Sequence, residues 1–100
     1  MKQMIILLIV ALAATSALAA GRTTQEICTA ASEDAWKIMD ARQAGVPKAL
    51  ISGFNQDNKV AEYMIIRAYE QPMYSTEKER QRSIEEFADR MLAECYKAQQ

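Results

Sequence analysis

Cys28 and Cys95 are the only two cysteines of the chain, and no histidine accompanies them. Two thiols can serve as a disulfide, as reactive groups, or as part of a metal site. A zinc set needs three or four ligands, which two cysteines without histidine do not supply, and no Cys-x-x-Cys redox motif is present. In an exported chain the two cysteines allow one intramolecular pairing, so a structural disulfide between Cys28 and Cys95 is expected. Bridging them closes a loop over most of the sequence beyond residue 20, worth on the order of 4 kcal/mol in the chain-entropy model.

The other residues with chemical potential form no catalytic set. Without histidine the usual general base and the commonest metal ligand are missing. Gly21, Gly45 and Gly53 are too far apart to cradle a phosphate, and no nucleophile elbow or calcium loop can be assembled. Glu85 and Glu86 fall on a charged outer helix face, where Glu86 and Arg90 stand four residues apart as a solvated pair. The chain is therefore expected not to be an enzyme, and to need no metal and no cofactor. Its 12 basic and 13 acidic residues nearly cancel. That balance excludes a protein that grips nucleic acid by bulk charge.

Three features carry binding potential. Arg42 shares an apolar stripe, where a dipole contact or an ion pair over a packed stem is expected. Trp36 lies at the flank of that stripe, as a core edge. The segment Tyr69-Glu70-Gln71-Pro72-Met73-Tyr74 joins two helices, and Tyr69, Pro72, Met73 and Tyr74 are the candidate partner-binding residues. Tyrosine and methionine give large contact area, and proline limits the freedom that binding removes. The competing reading makes Tyr69 and Tyr74 a plug folded over the bundle end.

These residues need a scaffold, and the sequence outlines one. Lys2, the apolar run Met4 to Ala14 and the small residues Ser16 to Ala20 make a secretory signal peptide, with cleavage expected near Ala20 or Gly21. The run is a poor membrane anchor, so no stable span is expected after cleavage. Residues 1–20 are thus an address, and 21–100 form one small helical domain whose marginal core benefits from a staple. Periplasmic or secreted localisation follows.

Four helical segments are expected in that domain. Thr23 with Glu26 fits a capping box, after which Cys28, Ala31, Ala35, Ile38 and Met39 recur at helical spacing until Gly45 and Pro47. Pro47 suits the first position of a short helix to Phe54, bearing Leu50 and Ile51. Asn55 to Asn58 make a polar turn that caps a third helix from Lys59 to Glu70. There Val60, Ala61, Met64, Ile65 and Ala68 cover a broad apolar face, which marks this helix as the most buried. Tyr63 to Ile66 has strand propensity, but nothing else offers it a strand partner. Thr76 with Glu79 fits a second capping box and opens a long helix to about Ala98, striped by Ile84, Phe87, Ala88, Met91 and Cys95. Antiparallel packing of the first and last helices brings the cysteines together and sets Ala31 near Met91, Ala35 near Ala88 and Ile38 towards Ile84. The fold class is all-α, a small disulfide-stapled bundle of three to four helices.

Cys28, Met39-x-Ala41-Arg42-Gln43-x-Gly45, Ala68-Tyr69-Glu70-x-Pro72-x-Tyr74-Ser75-Thr76, Phe87 and Cys95-Tyr96 together resemble a pattern in short exported helical proteins of bacterial and phage genomes. The resemblance spans residues 28–96. It implies export and a bridged helical fold, and transfers no functional residue. Periplasmic acid-stress chaperones are similar more loosely, in being short, exported, helical and bridged. The expected function is a small exported protein-binding module, an inhibitor or exclusion factor acting on an envelope or phage-related protein. The alternatives are a periplasmic stress chaperone, for which the lack of histidine weakens a switch between pH 5 and 7, and a structural envelope component.

Overall fold

A computed structural model describes residues 21–100; the leader expected over residues 1–20 lies outside them. Among the described residues the chain forms α1 (Thr24–Gln43), α2 (Lys48–Phe54), α3 (Lys59–Tyr69) and α4 (Glu77–Ala98), with no strand. Each long helix starts where a side chain takes over a backbone donor that the helix cannot satisfy. Thr23 Oγ1 accepts from the Glu26 amide at 3.1 Å, Asn58 Oδ1 from Ala61 at 3.0 Å, and Thr76 Oγ1 from Glu79 at 3.2 Å. In both capping boxes the threonine hydroxyl also donates to the glutamate carboxylate.

α1 stops in a Schellman motif. Gly45 adopts φ +85°, its amide donates to Arg42 O, and the Val46 amide donates to Ala41 O at 3.0 Å. Only glycine takes that backbone region without a Cβ penalty. Pro47 then sits at the N-cap of α2 rather than in its first turn, because its ψ of 140° is still extended.

The stripes meet as the periodicity requires. α1 packs antiparallel against α4 in the most extensive contact of the fold, and α3 lies against α1. Phe87, Met39 and Ile65 are fully enclosed, surrounded by Ala35, Ile38, Met64, Ala68, Ile84 and Met91. Three methionines fill this core, consistent with their use as adaptable packing. The small Ala35 and Ala88 let the backbones approach, and Ser32 Oγ donates across to Ala88 O at 3.2 Å. Cys28 and Cys95 are bridged, with their Cα atoms 5.4 Å apart and 67 residues separating them in sequence. The staple joins the start of α1 to the last turns of α4.

Two helices depart from their expected faces. α2 buries nothing fully: Ile51 touches the core, while Leu50 and Phe54 are exposed. On α3 the buried residues are Ala61, Met64, Ile65 and Ala68, a large share of a short helix. Val60, expected on that face, is 60% exposed because it lies one step round the helix, toward the gap between α3 and α4.

Candidate functional site

The expected partner-binding residues lie together at the end of the bundle remote from the disulfide, and α1 holds them there. Arg42 donates from Nε and Nη2 to Gln71 O, at 3.2 and 2.9 Å, and its guanidinium stands 5.1 Å from the centre of the Tyr69 ring. The arginine thus serves a carbonyl and an aromatic face; among the described residues it makes no ion pair. Gln43, buried on the α1 stripe, donates to Pro72 O at 2.9 Å and accepts from the Tyr74 amide at 2.9 Å. Arg80 donates to Tyr74 O and Ser75 O at 2.9 and 2.8 Å. The Tyr69 hydroxyl donates to Val46 O, and burial together with that enclosed position raises its pKa against the opposing pull of Arg42. Tyr69 and Tyr74 are half-buried, so only Pro72 and Met73 of the four offer open surface.

The sequence reading missed Gln43. A glutamine on an apolar stripe looks like an interruption, and its partners lie 29 and 31 residues away. Its inward position was readable from the stripe itself, four residues after Met39. Trp36 stands at a half-open cleft between α1 and α4, beside Glu33, Glu85 and Asp89.

A second surface forms at the disulfide end. There α3 and α4 do not close on each other, and a cavity of about 470 Å³ opens between them. Val60 and Met64 line it from α3, Met91 and Ala98 from α4, and Ala31 from α1. Cys95 also lines it, so the staple borders the cavity. Val60, Tyr63 and Ile66 stay exposed on α3, which extends apolar surface outward from the opening.

A polar cluster spans the same gap. Tyr63 donates its hydroxyl to Glu94 Oε1 at 2.9 Å, and Arg67 reaches the same oxygen at 3.3 Å. Arg67 also donates to the Tyr63 oxygen and stacks over its ring, 5.4 Å from the centre. The hydrogen bond to Glu94, followed by burial, raises the Tyr63 pKa. The negative charge of Glu94 does the same for Arg67, holding its proton more tightly. Glu86 and Arg90 form no close pair, and Arg67–Glu94 is the one ion pair among the described residues. Both side chains are about a third exposed, so the pair adds little stability; its effect is to fix the spacing of α3 and α4.

The arrangement offers shape and hydrogen bonding rather than reactive groups. Among the described residues no group of His, Cys, Asp and Glu is placed to hold a metal ion, and no helix is long and apolar enough to cross a membrane. The bridged cysteines fit an oxidising compartment. No protein-family model matches the chain, and neither a curated protein nor a solved structure matches it.

Proposed function

We propose that the chain is a small exported protein-binding module, an inhibitor or exclusion factor that acts on an envelope or phage-related protein. The observation that carries this reading is the exposed row Val60, Tyr63 and Ile66 beside an apolar cavity, on a body stapled at the same end. A polar turn of helix would serve solubility better than this row does, and clustered exposed apolar groups mark interaction surfaces. Rigidity supports the same reading, because a surface held by a disulfide and by caps loses little freedom on binding. Pro72 and Met73, on their anchored connection, are a second patch of the same kind.

Capture from an envelope extract tests the reading. The wild-type chain should retain a defined protein. Val60→Asp with Ile66→Asp should lose it with an unchanged melting temperature, since both side chains are exposed. Loss on Met73→Asp alone would move the surface to the connection. Equal capture by all three chains, or by none, would refute the proposal.

A further inference from the structure

We infer that the outer face of α3 pairs with the same face of a second copy of the chain, the two helices running antiparallel about a two-fold axis. The inference rests on the protein-binding reading and adds regulation to it, since a copy seated there covers Tyr63 and Ile66 until another partner displaces it. Lys59, Tyr63, Ile66 and Glu70 follow one another at intervals of four, three and four residues, the spacing of a two-helix seam. At 3.6 residues per turn they share an arc of about 60°. That arc lies opposite Ala61, Met64, Ile65 and Ala68, which face the core, and all four seam residues are exposed. Glu70 caps the helix with helical backbone angles, so it continues the row.

The charges single out both the occupant and its direction. Glu62 in the first turn and Arg67 in the last have the signs that the helix dipole favours. Lys59 at the start and Glu70 at the end have the opposite signs, so neither helps α3 by standing where it does. Neither takes part in an ion pair among the described residues. An antiparallel copy changes that. With the axis at the level of Met64 and Ile65, Lys59 meets Glu70 of the second copy, Glu70 meets its Lys59, and Tyr63 and Ile66 meet each other across the axis. Each end of the dipole then faces an opposite end and an opposite charge. A parallel copy would set lysine on lysine and glutamate on glutamate, and a shift by one turn would put a charge on an apolar residue. An unrelated helix would have to carry the same order reversed, whereas α3 carries it already. The Tyr63 ring is also fixed beforehand, by its bond to Glu94 and by Arg67 over one face, which reduces the freedom lost on pairing.

Sedimentation equilibrium of the exported, disulfide-intact chain tests the pairing. A seam on one short helix makes a small, transient interface, so self-association is expected at about 10 µM–1 mM. Lys59→Glu sets carboxylate against carboxylate at both ends of the seam, and Glu70→Lys sets ammonium against ammonium. Each should weaken self-association about tenfold, as two exposed pairs turn from attraction to repulsion. Each also removes a charge that opposes the α3 dipole, so neither endangers folding. Mixed with one another, the two variants should pair as tightly as the wild type, and Lys59→Glu/Glu70→Lys in one chain should restore self-association. Monomer alone at ~1 mM, a dimer unmoved by either variant, or a mixture no tighter than its components would overturn the inference. The capture experiment is read separately. An envelope protein retained by a chain that stays monomeric would overturn the second copy and leave the protein-binding reading standing. A dimer with the expected charge rescue and no captured protein would support the second copy and overturn that reading.

Discussion

Removing the staple is the perturbation whose size the structure fixes best. Cys28 and Cys95 lie 67 residues apart in sequence and close almost the whole described chain into one loop. The chain-entropy relation assigns a loop of that length about 4 kcal/mol, nearly all of it through the unfolded state. A domain of this size has a total stability of about 4–12 kcal/mol at the usual increment per residue. The double variant Cys28→Ala/Cys95→Ala should therefore lose between a third and all of its stability. The helical caps and the Met39, Ile65 and Phe87 core do not depend on the bridge, so at the upper end of that stability range the folded signal should survive with a lowered midpoint. Urea unfolding followed by circular dichroism measures the loss. With a slope of about 1–3 kcal/mol per molar, the midpoint should fall by ~1.3 M or more. A loss under about 1 kcal/mol at an unchanged slope would refute the reasoning, because the loop would then impose no constraint on the unfolded chain.

Other consequences follow from single contacts. Gln43→Ala should cost about 1–3 kcal/mol, since it strands the Pro72 carbonyl and the Tyr74 amide, and hydrogen exchange at Tyr74 should accelerate while that at Met64 holds. Gly45→Ala should cost about 1–2 kcal/mol in thermal unfolding for its positive φ alone, because the new methyl would meet only Met73 Cε, at an ordinary 3.7 Å. Tyr63 and Tyr69 both have raised pKa values, so the folded state keeps their protons after the unfolded chain has released them. Their contribution is complete below about pH 10 and is lost as pH rises through the folded-state values, and Tyr69→Phe should flatten the alkaline fall in urea midpoint.

Local signals made most of the fold legible. Thr23, Asn58 and Thr76 announce helix starts through side chains that reach only three residues onward. Gly45 announces a stop through its own backbone freedom. The two cysteines sit on stripes of helical period, so their pairing also declared that α1 and α4 run antiparallel. The surfaces were harder to read. How far α3 is rolled about its axis decides whether Val60 is core or opening. That roll is set by Tyr63 and Arg67 on Glu94, and by Tyr69 on Val46, over separations of 23 to 31 residues. No local period encodes such contacts. The tyrosines of the connection read as residues that either bind or plug, and the hydrogen bonds that anchor their segment come from Arg42 and Gln43 to backbone atoms, which carry no side-chain signature.

The central claim is that the exposed α3 row meets another protein. A photo-crosslinking amino acid placed at Ile66, and at the exposed polar control Gln25, tests it in intact cells. Ile66 points away from the core and Gln25 lies on the outer face of α1, so neither replacement disturbs packing. Illumination should join the Ile66 variant to one envelope or phage-related protein in a disulfide-bonded, exported pool, with no such product from Gln25. A ladder of unrelated products from both positions, or no product from Ile66, would contradict the account.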